Sequence, residues 1–345
     1  MNILVTGGTG FTGSALVLRL LNNGHNVRVL DYKEGIKDHQ LREAGARLIY
    51  GSVTDASVVD DAVDGCDIVF HVAAAFREMD VSDSYYQDVN VGGTRNVMVA
   101  AEKCNVKKVV YCSTQGVHGN IDNPPGDESS PIEPEDYYQQ TKYEGEEVVR
   151  EFIDRGMNAT ILRPTAIYGP GDPERFFMIF KRVEKGWFPM FGSGKTYYHP
   201  VYIDNLVDAF LLVMDTQTGD GGTYIIADEE YVSIRELVRR VAKAMDTRVR
   251  MINLPFMPMK IASHVCEKVC KVIGVAPPLF PRRADWYKQV RAFTITKAKE
   301  EIGYNPIVGL DEGLRRTAYW YWQEGYLNKK PVKESTLPGM KYKSA

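Results

Sequence analysis

The chain has 345 residues, 44% of them hydrophobic and 25% charged, with a formal net charge of -3 at pH 7. That length suffices for a large buried core and suggests about two domains or one large α/β unit. The near-balanced charge offers no basic footprint of the kind phosphate backbones require, so no nucleic acid partner is expected.

Five cysteines, Cys66, Cys104, Cys112, Cys266 and Cys270, are odd in number and lack paired C-x-x-C spacings. Neither a metal site nor a disulfide framework is expected, and reduced thiols point to a cytoplasmic compartment. The N-terminal "MNILVTGG" runs from an apolar strand straight into glycines and reads without a signal peptide; no apolar run is long enough to span a bilayer.

In chain order, short apolar runs alternate with amphipathic stretches. "NILVT" (2–6), "NVRVLD" (26–31), "ARLIYG" (46–51), "DIVFHVAA" (67–74), "KKVVYCST" (107–114) and "NATILRP" (158–164) are rich in β-branched residues and bounded by turn residues, as strands are. Residues 13–23, 37–44, 55–64, 90–104 and 138–155 carry helical periodicity. Strands buried on both faces and separated by helix-length segments imply right-handed βαβ units and a parallel sheet. The expected fold class is α/β, a doubly wound parallel sheet over residues 1–170 with a smaller C-terminal lobe over 171–327.

Beyond residue 170 the regularity weakens. Residues 173–200 are aromatic and glycine-rich, 201–216 read as a helix and "GGTYIIA" (221–227) as a strand, and the stretch 201–227 is expected to return to the first domain. Ser233 and Glu236 in "SIREL" form the pattern of a capping box. Residues 253–283 bring prolines, methionines and a short amphipathic helix, 311–326 a final helix rich in Tyr and Trp, and 328–345 a lysine-rich, solvated tail.

The sharpest motif is "VTGGTGFTG", Val5 to Gly13, containing G-x-G-x-x-G as Gly8, Gly10 and Gly13. It leaves a strand and opens a helix, the context in which such glycines let a pyrophosphate approach the backbone at a helix N-terminus. Asp31, at the end of the second strand, stands where a carboxylate accepts hydrogen bonds from the adenosine ribose. It would repel a 2′-phosphate, which favours NAD over NADP; Lys33, two residues later, leaves NADP open.

"DYYQQTK" places Tyr138 four residues before Lys142, on one face of a helix. An ammonium beside a tyrosine favours the phenolate and lowers its pKa toward neutrality, and it can also donate to a nicotinamide ribose. The strand end "YCST" brings Ser113 and Thr114 as hydroxyls able to hold a substrate oxygen, and "PPGDESSPIEPED" is a loop of the kind that lids a pocket.

With these pieces the chain resembles an extended short-chain dehydrogenase/reductase of the NAD-dependent epimerase/dehydratase family, from Met1 to about Leu327. The matching segments are "TGGTGFTG", Asp31, "HVAAA" (71–75), "NVGGTRNV" (90–97), "YCSTQGVHG" (111–119), "YYQQTK" (137–142), "LRPTAIYGPGD" (162–172), "VYIDNLVDA" (201–209) and "KAKEEIGYNP" (297–306). The resemblance implies a Rossmann-type NAD-binding domain and catalysis by Tyr138, Lys142 and Thr114, with Ser113 the second choice for the hydroxyl. It implies cofactor contacts from Gly7, Gly8, Gly10, Phe11, Thr12, Gly13, Asp31, Ser52, Val53, Ala73, Ala74, Asn90, Tyr138, Lys142 and Pro164. It also implies a homodimer through the helices at 90–104 and 138–155. One departure is "GSVTD", where Ser52 follows Gly51 in place of the family's usual Asp; the adenine contact then falls to the backbone of Val53, and Asp55 is no obvious substitute.

Candidate substrate contacts are Phe76, His118, Tyr168, His199 and Arg283. Nucleotide-sugar members of the family commonly carry a diphosphate-binding arginine just before the segment that here reads "VYIDN", and this chain has Tyr198 and His199 there; Arg282, Arg283 and Arg291 are later cations able to meet a phosphate. The segments 175–192 and 254–275, rich in Phe, Met and Trp, resemble the lids of 3β-hydroxysteroid dehydrogenase-like and dihydroflavonol-reductase-like relatives. In the second, Ile261, Val265, Val269 and Val272 or Ile273 share a helix face opposite Lys260, Lys268 and Lys271, which reads as a lid, a dimer contact or a weak membrane-surface element over 259–273. Three readings follow. The first is an NAD-dependent oxidoreductase for a secondary alcohol or ketone of a bulky small molecule. The second is a nucleotide-sugar 4-epimerase or dehydratase with tightly bound NAD. The third is a non-catalytic dinucleotide-binding regulator, against which the intact Tyr138 and Lys142 speak.

Overall fold

The β-branched runs of the first half become strands that pair in parallel, with helices between them covering the two faces of the sheet. In the computed structural model, residues 1–76, 81–172, 176–215, 217, 219–273, 275 and 286–331 are described. The order is β1 (Asn2–Thr6), α1 (Phe11–Asn22), β2 (Asn26–Asp31), α2 (Asp38–Glu43), β3 (Arg47–Tyr50), α3 (Ala56–Val63), β4 (Ile68–His71), α4 (Asp83–Gln87), a π-helical turn (Asp88–Gly92), α5 (Gly93–Lys103) and β5 (Lys108–Cys112). A 3₁₀ turn (Gln115–His118), α6 (Tyr137–Asp154), β6 (Ala159–Pro164), β7 (Ala166–Tyr168), α7 (Phe177–Glu184), β8 (Trp187–Phe191), β9 (Tyr197–Tyr198), β10 (Pro200–Tyr202) and α8 (Ile203–Asp215) follow. The chain continues through β11 (Thr223–Ile226), β12 (Val232–Ser233), α9 (Ile234–Ala244), β13 (Arg250–Leu254), α10 (Phe256–Ile273), α11 (Thr296–Ile302) and α12 (Leu310–Gln323).

Seven strands form the main sheet in the order β11-β6-β5-β4-β1-β2-β3, all parallel. Alternate residues of one strand feed two apolar layers: Ile3 and Val5 pack with α1 and α8 residues such as Leu16 and Phe210, while Leu4 packs with α3, α5 and α6 residues such as Val59, Val97 and Val149. This two-sided burial is what a doubly wound sheet needs. The chain winds outward from β1 through β3, then crosses back to place β4 on the other side of β1. That reversal opens a crevice at the carboxyl ends of β1 and β4, where Thr6 lies opposite His71 in register.

Three short pairings, β10 with β7, β12 with β9 and β13 with β8, organise the later segments. Ser233 caps α9 by accepting from the Glu236 amide at 3.1 Å, the capping interaction its sequence encodes.

The structure departs from the sequence expectation in places that bear on the crevice. The strand expected over 67–74 stops at His71, because the chain must leave the ladder for Ala73 to meet Gly7. The helix expected from residue 90 begins at Asp83 and passes through the π-helical turn. The region 173–200 contains α7, β8 and β9, and a short strand, β10, precedes α8. Among the described residues no helix is long and apolar enough to cross a membrane.

Candidate active site

Gly7 leaves β1 with φ +68°, and a Cβ there would sit 2.7 Å from the Ala73 backbone. A Cβ at Gly13 would lie 2.1 Å from the Gly7 carbonyl oxygen, and one at Gly8 2.7 Å from Val29. Only hydrogen fits at these positions, so the backbone turns tightly enough to set Gly10 as the N-cap of α1. No side chain caps that helix and no acid occupies its first turn. The first amides of α1, from Phe11, Thr12 and Gly13, therefore lack intrahelical acceptors and give the crevice a positive end suited to an anion.

Asp31 ends β2 beside this loop. Its Oδ2 accepts from the Thr9 amide at 3.1 Å and the Thr9 hydroxyl at 2.7 Å, while Oδ1 accepts from the Tyr32 amide at 2.9 Å. The carboxylate is thereby held at the mouth of the loop and stays half-buried. Ser52 turns onto its own loop, its Oγ accepting from the Thr54 amide at 3.1 Å. Val53 is buried, and its carbonyl accepts from Asn96 at 2.9 Å. Asp55 caps α3 through the Ser57 and Val58 amides, which occupies it locally.

On the other side of the crevice the Ala73 amide donates to Thr6 Oγ1 at 3.2 Å. Asn90, an expected cofactor contact, is placed inside the wall of the crevice. It is 1% exposed, its Oδ1 accepts from the Ala75 amide at 2.8 Å, and its Nδ2 donates to the Ala75 carbonyl at 3.3 Å and to Thr141 Oγ1 at 3.0 Å. Its amide links Ala75 to Thr141 of α6.

Asp136 caps α6 by accepting from the Gln139 amide at 2.8 Å, and Gln139 Oε1 accepts from the Glu135 amide at 2.8 Å. This cap starts the helix one residue before Tyr138 and so sets Tyr138 and Lys142 one turn apart. Tyr138 is half-buried with the Phe76 ring 4.9 Å from its own, while Tyr137 donates to Gln87 on the neighbouring helix. Lys142 is 1% exposed; its Nζ has no hydrogen-bond partner and lies 4.1 Å from the centre of the Tyr111 ring. Burial lowers its pKa to about 8, against small opposing effects of Cys112 and Glu146.

The two hydroxyls after β5 part ways. Ser113 is buried and donates to Glu146 Oε1 at 2.5 Å, whereas Thr114 stays half-buried and accepts from the Gly116 amide at 3.0 Å, which leaves its hydroxyl proton to donate elsewhere. Pro164 ends β6 and is buried beside Ile226. Two buried polar atoms at the same strand ends lack partners, Gln115 Oε1 and Thr165 Oγ1. Sequence reasoning missed both, and their only signal was adjacency to Thr114 and Pro164.

Three candidate substrate residues are buried and have hydrogen-bond partners within the protein. Tyr168 is fully enclosed, stacked at 4.8 Å on Phe176 and bonded to Asp228 at 3.3 Å. His118 donates from Nδ1 to the Ser130 and Pro131 carbonyls at 3.0 and 3.1 Å and accepts Arg163 at Nε2, 2.9 Å away, so it is neutral; burial and then Arg163 lower its pKa. His199 donates to the Asp228 carbonyl at 2.8 Å and accepts the Phe293 amide at 3.3 Å, and burial brings its pKa down to about 4. These side chains hold the walls together through their polar atoms. Phe76 remains at the crevice against Tyr138; Arg282 and Arg283 lie outside the described residues. Among the described residues no cluster of His, Cys, Asp or Glu is placed to hold a metal ion, and the five cysteines are free thiols.

The geometry fits a dinucleotide: a glycine cradle that any Cβ would fill, uncapped helix amides, and a buried ammonium without a partner. Comparison with known proteins agrees. The profile of the NAD dependent epimerase/dehydratase family matches residues 3–227. A 3 beta-hydroxysteroid dehydrogenase/Delta 5-->4-isomerase of Mycobacterium tuberculosis is 32% identical over 337 residues, covering 92% of this chain and 90% of that protein. An N-acetyl-alpha-D-glucosaminyl-diphospho-ditrans,octacis-undecaprenol 4-epimerase of Escherichia coli O157:H7 is 28% identical over 320 residues, covering 92% and 94%. Among solved structures, dTDP-glucose 4,6-dehydratase from Streptomyces venezuelae with NAD bound superimposes with a TM-score of 0.76 at 26% identity, over 95% of this chain and 99% of that one. The chain belongs to the NAD dependent epimerase/dehydratase family, a family of enzymes with a Rossmann-type fold that work with NAD.

Proposed function

We propose that this protein is an NAD-dependent oxidoreductase acting at a secondary alcohol or ketone of a bulky small molecule. The observation that carries the chemistry is the partnerless ammonium of Lys142, buried one helical turn from Tyr138. Gly7, Gly8, Gly10, Gly13 and the amides of Phe11 and Thr12 would hold the pyrophosphate, Asp31 the adenosine ribose, Lys142 the nicotinamide ribose, and Ala73, Ala74 and Pro164 the flank of the cofactor. The bound nicotinamide supplies or takes up a hydride at the substrate carbon. Thr114 donates to the substrate oxygen, and Tyr138 takes the proton from that oxygen on oxidation and returns it on reduction. Lys142, charged below about pH 8, favours the tyrosinate and so tunes Tyr138 to this exchange.

The preference for a bulky substrate is supported by the Phe-, Met- and Trp-rich segments 175–192 and 254–275, and by Tyr198 and His199 standing near the place where nucleotide-sugar members commonly carry an arginine. The 3 beta-hydroxysteroid dehydrogenase relative at 32% identity points the same way. Nucleotide-sugar epimerisation or dehydration is the second reading, favoured by the likeness to a UDP-glucose 4-epimerase of Thermotoga maritima solved with UDP-glucose, with a TM-score of 0.76 at 26% identity. A homodimer through α5 and α6 belongs to the same proposal; the two helices lie side by side over one face of the sheet, and Val99 of α5 is 47% exposed.

The test is a panel of sterols, long-chain secondary alcohols and nucleotide sugars, each supplied with NAD and followed by the absorbance of reduced nicotinamide. Net reduction of NAD with an apolar alcohol supports the first reading. Conversion of a nucleotide sugar without net reduction, by protein that retains NAD through purification, overturns it in favour of the second.

A further inference from the structure

Helix α10 has three faces. Its inward face is Phe256, Met259, Ser263 and Cys270, all buried, with Phe256 and Met259 packed against Phe191 and Tyr287. The outward face is also apolar. Met257, Ile261, Val265, Val269 and Ile273 follow one another at four-residue steps and are 58, 60, 56, 52 and 62% exposed. The stripe continues into Ile252 and Leu254 of the adjoining β13, themselves 40 and 37% exposed. Single exposed apolar residues are ordinary, whereas a continuous stripe of this length marks an interaction surface.

The third face is basic. Lys260, His264 and Lys268 run along one flank, between the inward face and the stripe, and α10 holds three lysines against the single acid Glu267. Arg248 and Arg250 are exposed where the chain approaches the helix. Lysines beside an outward apolar stripe complement an anionic lipid surface, where apolar side chains enter the acyl boundary and lysine stems extend to the headgroup phosphates. A second copy of this chain is a poorer occupant. One helix face, about 27 Å long and about 10 Å across, offers well under the roughly 800 Å² per partner of a stable protein interface.

We propose that α10 lies in the plane of an anionic membrane surface, with the stripe from Met257 to Ile273 in the headgroup–acyl boundary and Lys260 and Lys268 at the lipid phosphates. The helix is amphipathic and does not span, so attachment is peripheral and reversible. The proposal stands on the exposed face alone and does not depend on which substrate the crevice takes.

Flotation of the full chain with vesicles of pure phosphatidylcholine, or of equimolar phosphatidylcholine and phosphatidylglycerol, tests it. The expected result is partitioning onto the anionic vesicles about tenfold or more above that onto the neutral ones, reduced about fivefold per charge by Lys260→Gln and Lys268→Gln. Val265→Glu and the milder Ile261→Ser replace exposed side chains, keep the thermal melt of the parent and lower partitioning at least severalfold. Absence of binding to the anionic vesicles, or parental binding by the folded Val265→Glu variant, overturns the proposal. A concentration-dependent dimer that Val265→Glu dissociates, without vesicle binding, overturns it as well and assigns the stripe to a second copy.

Discussion

Arg163 grips both carboxylate oxygens of Glu146, Nε to Oε1 at 2.9 Å and NH2 to Oε2 at 2.6 Å, in a place where both side chains are almost fully enclosed. Glu146 sits one turn beyond Lys142 on α6, and Arg163 one residue before Pro164 on β6, so the pair fixes the Tyr–Lys helix to the strand end that flanks the crevice. Ser113 and Arg150 also donate to Glu146, at 2.5 and 2.7 Å. Burial acts to raise the Glu146 carboxyl, but Arg163, Ser113 and Arg150 together hold it below its ordinary range.

Arg163→Met should therefore destabilise the fold by about 3 to 5 kcal/mol, because it strands a buried carboxylate. The double variant Glu146→Gln with Arg163→Met should recover much of that loss. Urea unfolding of the three proteins measures it; a single variant as stable as the parent would show that the pair holds nothing together.

Lys142 gives a prediction with a definite sign in the cofactor-free protein. Its pKa falls from 10.5 unfolded to about 8 folded, so between these values the unfolded chain binds more protons and stability rises with pH. Below about pH 8 the buried charge imposes its full penalty, at most about 3 kcal/mol. Lys142→Met should raise the melting temperature by several degrees at pH 7, and the advantage should shrink as pH climbs toward 10. A variant that is less stable at pH 7 would refute the account.

Tyr138→Phe should abolish turnover while leaving NAD binding nearly unchanged, since the ring stays against Phe76 and only the hydroxyl is lost. Thr114→Ala should lower kcat by about 10² or more, the usual loss for a donor to a reacting oxygen. Ser113→Ala should act mainly on stability, because that hydroxyl faces Glu146. Steady-state kinetics beside thermal melts separates the two, and a larger kinetic loss at Ser113 would reverse the assignment.

Asp31→Ala should weaken NAD about tenfold, roughly 1.4 kcal/mol for a lost charge-assisted bond, and NADP less. The carboxylate is already oriented by Thr9, so Thr9→Val should show a smaller loss in the same direction. Calorimetric titration with both dinucleotides decides the matter; equal losses for the two would remove Asp31 from cofactor selection.

The glycine loop, Asp31, the Tyr138–Lys142 pair and the alternation of strands and helices were legible in the chain because each depends on local spacing, and that alternation implies the parallel sheet. Gly13 is forced by its contact with Gly7 and Gly8 within one strand–turn–helix unit, whereas the clash that excludes a side chain at Gly7 comes from Ala73 on the far side of the crevice; Tyr138 and Lys142 share one helix face by periodicity alone. The Ser233 cap was legible for the same reason.

Other features were decided by contacts between residues far apart in sequence. Nothing near Ser113 says that its hydroxyl turns inward, since Glu146 lies 33 residues away; the fold leaves Thr114 the less buried of the two. His118, Tyr168 and His199 read as polar candidates in the sequence, and only the fold brings Arg163, Asp228 and the neighbouring backbone to their polar atoms. The apolar run of α10 was plain as a pattern, yet only packing showed that Phe256 and Met259 face inward while Ile261 and Val265 face out. Sequence thus determined the elements and the motif residues, through steric and periodic rules that act over a few positions. Tertiary structure decided which polar atoms are spent on holding the fold and which remain for a ligand, because a buried donor or acceptor takes whatever partner the packing brings to it.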